Sequence, residues 1–154
     1  ILSLDKTKNG LARRTQHYGY IYNYKSTKLV ETRSLDSNKV VAVLADLLSP
    51  NYEDGKVEQC IINEYTPGQS ISAHTDNFIF GSPVMTVTLS SICTMVMSRD
   101  DVEIPITLEA GDIVLLRGEA RKNWKHSIKR ISSRNPRRIS VTFRNLAQTA
   151  PGKM

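Results

Sequence analysis

Two side chains separated by one residue, His74 and Asp76, are the first in this sequence that could bind a metal ion together. In an extended chain, residues two apart point to the same side, so one imidazole and one carboxylate would face a common point. A second histidine would complete the set of two histidines and one carboxylate that binds non-haem iron(II) and leaves coordination positions open. His126 is the better of the two remaining candidates, because it lies on a predicted strand while His17 lies in a polar N-terminal segment. The sequence therefore predicts a metal site formed by His74, Asp76 and His126.

A second group of residues could bind a small dicarboxylate. The predicted strand over residues 138–145 alternates strictly between apolar and polar side chains, and its polar face carries Arg138, Ser140, Thr142 and Arg144. At ~3.3 Å per residue, the two arginines are about 20 Å apart along the strand. The planar guanidinium pairs a carboxylate through two parallel hydrogen bonds. The two arginines could therefore hold a dicarboxylate by its two ends.

A third group lies shortly before the His-x-Asp pair. Asn63 and Tyr65 share one face of a predicted strand, and a turn at Pro67 and Gly68 lets the chain return alongside. The pattern Asn-x-Tyr-x-Pro-Gly, five further residues and His-x-Asp resembles the AlkB family of iron(II)- and 2-oxoglutarate-dependent dioxygenases. The distal His126, the closing Arg-x-Ser-x-Thr-Phe-Arg of residues 138–144, and residues 111–115 and 118–121 match the same family. The resemblance is strong over about residues 57–146 and weaker over residues 13–20, which are similar to the N-terminal segment of eukaryotic and viral members.

The resemblance implies a fold and a set of metal ligands. The fold would be a double-stranded β-helix, which is a jelly-roll variant, with the metal inside its open end. His74, Asp76 and His126 would bind the iron. The cofactors would be iron(II), 2-oxoglutarate as co-substrate and O2.

The resemblance also implies how the co-substrate is held. Arg138 would pair the distal carboxylate of 2-oxoglutarate, and Tyr65 would hydrogen-bond the same end. Arg144, assisted by Asn63, would lie by the carboxylate nearer to the metal. Ser140 occupies a position of the closing motif at which asparagine is common in the family, and we expect it to line the same site.

The elements that must position these residues are mainly β-strands with one amphipathic helix. Apolar residues at helical spacing predict a helix over residues 37–49, which Ser37 or Asn38 could cap and Pro50 follows. Short β-rich segments with turn residues between them predict strands over residues 57–65, 85–91, 93–98, 102–108, 112–117, 124–130 and 138–145. One helix followed by seven strands indicates a sandwich, jelly roll or barrel with a buttressing helix. We expect a flap or substrate lid over residues 1–35, a catalytic domain over residues 36–148 and a tail over residues 149–154.

Charge is distributed unevenly along the chain. Residues 1–40 carry eight Lys and Arg against three Asp and Glu, residues 41–112 carry two against eleven, and residues 113–154 carry eleven against one. A basic segment of this density fits a polyanionic partner such as nucleic acid. No apolar run approaches the 18 residues of a membrane span, and we expect no signal peptide. We expect an intracellular protein, in the cytoplasm or the nucleus, whose Cys60 and Cys93 are reduced.

These features predict oxidative demethylation or hydroxylation of alkylated bases in single-stranded RNA or DNA, with RNA favoured. Hydroxylation of a modified tRNA nucleoside, or of a protein or small molecule on the same metal core, is the alternative. A jelly roll that binds without catalysis would require the triad to be coincidental. The substrate-contacting candidates are aromatic side chains that could stack on a base and basic side chains that could bind phosphates, namely Tyr18, Tyr20, Phe78, Arg121 and Lys122.

Overall fold

A computed structural model describes residues 13–134 and 137–148 of the chain. Within these residues the chain forms eleven strands and two α-helices. The strands are β1 (Arg14–Tyr18), β2 (Tyr20–Asn23), β3 (Lys28–Glu31), β4 (Gln59–Tyr65), β5 (Ile71–His74), β6 (Val84–Ser90), β7 (Cys93–Arg99), β8 (Val102–Leu108), β9 (Ile113–Leu116), β10 (Lys125–Ile128) and β11 (Arg138–Arg144), and the helices are α1 (Lys39–Leu48) and α2 (Gly118–Lys122).

Two antiparallel sheets face each other. The larger sheet has the strand order β1-β4-β11-β6-β9 and the smaller has the order β5-β10-β7-β8, while β2 and β3 form a separate hairpin. Apolar side chains from both sheets pack together between them, among them Tyr65 and Val84 from the larger sheet and Met95 and Met97 from the smaller. This architecture confirms the predicted double-stranded β-helix.

Helix α1 packs on the outer face of the larger sheet. Val41, Ala45 and Leu48 are its buried residues, and they pack in one cluster with Val141 and Phe143 of β11. The side chain of Asn38 caps the helix by accepting hydrogen bonds from the two backbone N–H groups of residues 40 and 41. The predicted buttressing helix is thus confirmed, and it leaves the polar face of β11 turned towards the inside of the fold.

The predicted strands all occur, and their ends differ from the prediction by at most two residues. After residue 35, the prediction lacked β5 and α2, which are only four and five residues long and therefore carry little periodic signal. Within residues 1–35, which were predicted only as a flap or lid, the structure has β1, β2 and β3. Residues 14–18 belong to the larger sheet, because β1 pairs with β4 along its whole length. The lid role of the N-terminal region stays a prediction that now concerns the β2–β3 hairpin. Residues 1–12 and the predicted tail lie outside the described residues.

Buried ion pairs fix strand β1 to the sheet. The carboxylate of Glu64, which is almost fully buried, lies 2.6 Å from Nη2 of Arg14 and 2.9 Å from Nε of Arg137. Glu64 thereby ties the start of β1 to β4 and to the residue that precedes β11. A buried carboxylate held by two guanidiniums is strongly destabilised by loss of either partner. The segment that enters β1 therefore has a defined position over the sheet.

Candidate metal centre and co-substrate cavity

The structure brings His74, Asp76 and His126 together. His74 ends β5 and lies directly opposite His126 on β10, so the two imidazole rings are 4.3 Å apart between centroids. Asp76 follows two residues after His74, and its Oδ1 lies 3.5 Å from Nε2 of His74 and 3.4 Å from Nε2 of His126. The ligand atoms of the three residues all lie within 4.8 Å of one another. Two imidazole nitrogens and one carboxylate oxygen at this separation suit a divalent metal with open coordination positions.

A hydrogen bond orients the imidazole of His74. Nδ1 of His74 lies 2.8 Å from the backbone oxygen of Ser72, which can only accept, so the proton sits on Nδ1. Nε2 is then the nitrogen that faces Asp76 and would bind a metal. Hydrogen bonds of this kind fix the tautomer of metal-binding histidines and raise their basicity.

Arg144 determines how the carboxylate of Asp76 is presented. Nε of Arg144 donates to Oδ2 of Asp76 at 2.7 Å, and Nη1 of Arg144 donates to Oε1 of Gln59 at 2.8 Å. Burial raises the pKa of Asp76, but the Arg144 guanidinium and the two imidazoles outweigh that effect and hold the pKa well below its usual range. Asp76 is therefore ionised, with Oδ2 bound to Arg144 and Oδ1 directed towards the histidines.

Arg138 lies deep in the same cavity and has no anionic partner among the described residues. It is 1% exposed, its Nη2 donates a long hydrogen bond to Oγ1 of Thr88 at 3.5 Å, and its Nε has no hydrogen-bond partner among the described residues. The ring of Tyr65 lies 5.2 Å from the guanidinium carbon. A buried charge that is not paired is costly. The residues thus fit an anionic ligand, such as a carboxylate of 2-oxoglutarate, at the inner end of the cavity.

The inner cavity, of about 90 Å³, connects the metal-ligand candidates with Arg138. Ser140 and Thr142 line it between the two arginines of β11, as the strand alternation predicted. Asn63 and Tyr65 line it from β4, and burial raises the pKa of the Tyr65 hydroxyl, so this group stays protonated. All five residues predicted to hold the co-substrate therefore lie in one cavity; the side-chain oxygen of Asn63 accepts a hydrogen bond from Arg13.

A wider outer cavity, of about 410 Å³, adjoins the inner one at the triad. Its wall includes side chains that sequence reasoning missed, namely Arg13, His17, Tyr22 and Tyr24. The rings of Tyr22 and Tyr24 contact each other edge to face at 4.9 Å between centroids. Tyrosines occupy every second position from residue 18 to residue 24. This alternation is a signal for an aromatic wall, but it does not show which of the rings face the site.

Tyr18 and Tyr20 do not line either cavity. Tyr18 is 3% exposed and packs in the core beneath α1, where its hydroxyl accepts a hydrogen bond from Nδ2 of Asn38. The stacking role predicted for Tyr18 is therefore wrong. Gly19, with a φ of +75°, bends the chain between β1 and β2, so the two tyrosines do not share one face. Tyr20 packs with the apolar cluster around Phe80 instead.

Arg121 is also wrongly predicted, because it is buried and cannot grip a phosphate. It is 3% exposed and donates hydrogen bonds to the backbone oxygens of Asp76 and Asn77 at 3.0 Å each, Phe80 at 2.8 Å and Gly81 at 3.3 Å. Helix α2 turns the side chain inwards, towards the loop that follows β5. Arg121 thereby holds the loop of residues 76–81, which begins with Asp76, against helix α2. This helix precedes β10, the strand that carries His126.

Phe78 and Lys122, the remaining substrate-contacting candidates, are exposed. The ring of Phe78 is 62% exposed and lies 5.0 Å from the guanidinium carbon of Arg121. Lys122 is exposed at the end of α2. Their roles in substrate binding stay predictions.

Replacement of Arg121 by methionine is expected to lower the affinity for Mn(II) about 10- to 100-fold, the range typical for residues that orient metal ligands. The variant leaves four carbonyl oxygens of the loop without their donor, so the position of Asp76 is no longer fixed. Mn(II) titration followed by electron paramagnetic resonance measures the affinity directly. Lys122→Met is the matched control, because it removes the neighbouring exposed charge, and equal Mn(II) affinity in both variants would contradict the role. Arg121→Lys, which restores one donor, is expected to be intermediate.

Comparisons with known proteins agree with this geometry. The family model described as the 2OG-Fe(II) oxygenase superfamily matches residues 2–144. The chain is 29% identical over 121 residues to the tRNA (carboxymethyluridine(34)-5-O)-methyltransferase ALKBH8 of Mus musculus, an alignment that covers 75% of this chain and 18% of the relative. It is 30% identical over 179 residues to the alpha-ketoglutarate-dependent dioxygenase alkB homolog 4 of Homo sapiens, covering 91% and 59%. It is 26% identical over 166 residues to the RNA demethylase ALKBH9B of Arabidopsis thaliana, covering 94% and 32%.

A solved structure shares the fold. The structure of OsALKBH1 superposes with a TM-score of 0.65 at 17% identity, covering 94% of this chain and 83% of that chain. The chain thus spans most of a solved AlkB-homologue structure. It spans only about a fifth of the length of the mouse relative and about three fifths of that of the human relative. No helix among the described residues is long and apolar enough to cross a membrane.

Proposed function

Because the chain belongs to the 2OG-Fe(II) oxygenase superfamily as an AlkB-like member, we propose that it removes or hydroxylates alkyl groups on nucleic-acid bases, with RNA as the favoured polymer. The observation that carries the proposal is a single cavity with two ends. One end has the His74, Asp76 and His126 ligand atoms within 4.8 Å of one another. The other end has the buried Arg138, which pairs with no carboxylate in the described part of the chain.

The residues of this cavity would hold the two cofactors side by side. Nε2 of His74, Oδ1 of Asp76 and Nε2 of His126 would bind the iron(II), and Arg138 would pair the far carboxylate of 2-oxoglutarate. When bound, iron(II), 2-oxoglutarate and O2 together supply the oxidation of a C–H bond, with succinate and CO2 as co-products. Hydroxylation of an N-methyl group leads to release of formaldehyde.

The protein's own contribution is placement and exclusion of water. Arg144 keeps Asp76 ionised and turned so that one oxygen is left for the metal. Apolar side chains of both sheets, including Ile61, Met95 and Ile128, line the inner cavity and exclude water from it. Exclusion of water from the site suppresses side reactions of reactive intermediates.

Nucleic acid is supported as the substrate by charge and by the relatives. The segment from residue 113 onwards carries eleven basic residues and one acid, and Lys122, Lys125, Lys129 and Arg130 within it are exposed. Two relatives are named for acting on RNA, one as an RNA demethylase and one as a tRNA methyltransferase. The latter supports hydroxylation of a modified tRNA nucleoside as the second candidate. We place the reaction inside the cell, in the cytoplasm or nucleus, where iron stays reduced and RNA is available.

Mass spectrometry of methylated oligonucleotides tests the proposal. Single-stranded RNA and DNA of one sequence, each carrying one methylated base, are incubated with the protein, Fe(II), 2-oxoglutarate and ascorbate. We expect loss or oxidation of the methyl group, faster on RNA and absent when Fe(II) is omitted. Consumption of 2-oxoglutarate with every oligonucleotide unchanged would contradict a nucleic-acid substrate and favour a protein or small molecule. Absence of 2-oxoglutarate consumption would contradict catalysis altogether.

A further inference from the structure

The charge of the outer cavity determines which modified bases it can admit. Its lining includes two side chains that are positively charged at neutral pH, Arg13 and Arg144, and one carboxylate, Asp76. Oδ2 of Asp76 accepts from Arg144 at 2.7 Å, so these two charges are paired with each other. In the inner cavity a bound iron(II), the dianion of 2-oxoglutarate and Arg138 would add to a formal charge of +1, so no excess negative charge there offsets the charge of Arg13. The charge that remains for the substrate is therefore that of Arg13.

Arg13 lies at the junction of the two cavities and belongs to the lining of both. Its Nε donates to Oδ1 of Asn63 at 2.9 Å. Among the described residues, no carboxylate lies within 4.0 Å of its guanidinium, and no acceptor binds its two terminal nitrogens. Four N–H donors of a half-buried cation are thus available to a ligand beside the metal-ligand residues.

The position of Arg13 is fixed by the sheet. The next residue, Arg14, pairs with the buried Glu64, and Thr15 lies directly opposite Asn63 in the pairing of β1 with β4. The hydrogen bond to Asn63 then fixes the side chain over β4. A base in the outer cavity would therefore face this guanidinium as part of the cavity wall.

We propose that the substrate base is neutral or anionic, and that Arg13 selects it against alkylated bases that carry a fixed positive charge. This inference rests on the proposed function and specifies its substrate class. A base methylated on a ring nitrogen, such as 1-methyladenine, is a cation and meets an uncompensated like charge in a partly buried site, where charges interact more strongly than in water. A neutral base such as N6-methyladenine, or a uridine with a substituent on C5, offers acceptors to the free N–H groups. A carboxylate substituent would pair with them through two hydrogen bonds.

The aromatic side of the cavity is consistent with this class. Tyr22 and Tyr24 present ring faces and hydroxyls, and His17 presents an imidazole. The loop that follows Asp76, residues 77–80, contains no acidic residue that could neutralise a cationic base. Stacking is therefore available to any base, whereas the charge of Arg13 discriminates between them.

The test compares turnover of two RNA oligonucleotides of identical sequence that carry either 1-methyladenine or N6-methyladenine at one position. We expect the wild type to act on the neutral base at least ~10-fold faster, in kcat/KM, as the order of magnitude for one like charge in such a site. Arg13→Gln should lose most of this preference, and Arg13→Glu should reverse it. Lys39→Glu, which makes the same change of charge at the exposed start of α1, should leave the ratio unchanged.

The outcomes separate this inference from the proposed function. Turnover of 1-methyladenine faster than N6-methyladenine by the wild type, or an unchanged ratio in Arg13→Glu, would overturn the selection by Arg13 while leaving nucleic-acid oxidation in place. No turnover of either oligonucleotide or of one that carries a uridine substituted on C5, with 2-oxoglutarate still consumed, would overturn both. Circular dichroism and binding of 2-oxoglutarate to the Mn(II) form establish that each variant is folded and has an intact inner cavity.

Discussion

Replacement of Asp76 by alanine is expected to abolish turnover and to weaken Mn(II) binding by at least ~100-fold. Asp76 is the only carboxylate among the three residues that face one another at the site. Its loss removes one ligand and half of the charge that balances a divalent ion. It also leaves the Arg144 guanidinium, now without its partner at 2.7 Å, as an uncompensated positive charge beside the metal position. Both effects lower the affinity for the metal.

Mn(II) titration and 2-oxoglutarate consumption measure the two parts of this expectation. Asp76→Asn keeps the shape of the side chain and loses only the charge, so its Mn(II) affinity should lie between those of the wild type and the alanine variant. Asp46→Ala, at an exposed position of α1, is the control and should be indistinguishable from wild type. Wild-type turnover in Asp76→Ala would contradict the assignment of the triad.

The parts of the site that the sequence predicted depend on short-range geometry. The side on which a residue of a strand points follows from its parity, so the inward face of β11 could be read from the alternation of Arg138, Ser140 and Arg144 with apolar residues. The same parity placed His74 and Asp76 together. The helix was predictable because its apolar residues recur at helical spacing and Asn38 can cap it.

The wrong and missing residues depend on contacts that are distant in sequence. Arg121 is buried because the loop of residues 76–81 packs against it. The sequence of α2 itself does not indicate this contact. Arg13 faces the site only because β1 pairs with β4, 50 residues later. The change of face between Tyr18 and Tyr20 depends on the conformation of Gly19. The sequence motif was therefore enough to predict the metal site, whereas the residues that face the outer cavity could be identified only from the tertiary structure.

Replacement of Arg138 by methionine is expected to raise the 2-oxoglutarate concentration for half-maximal turnover about 100-fold, the cost of truncating one partner of a buried, hydrogen-bonded charge pair. The same change should make the ligand-free protein more stable. In the absence of an anion, the guanidinium is a buried charge that finds no carboxylate among the described residues, and methionine fills similar space without that cost. Arg138→Lys keeps the charge but not the planar pair of donors, so its 2-oxoglutarate requirement should be intermediate.

Thermal unfolding with and without 2-oxoglutarate, in the presence of Mn(II), separates these two effects. For the wild type, 2-oxoglutarate at 100 times its dissociation constant should add about 2.7 kcal/mol to the free energy of unfolding. Arg138→Met should start from a higher free energy of unfolding and gain almost nothing at the same concentration. Arg137→Lys, at the neighbouring residue whose guanidinium faces Glu64 instead, should keep the full response to 2-oxoglutarate. If 2-oxoglutarate stabilised Arg138→Met as much as the wild type, the co-substrate carboxylate would lie elsewhere. If the variant were more stable and gained nothing from 2-oxoglutarate, the buried charge of Arg138 would be kept for binding at the expense of stability.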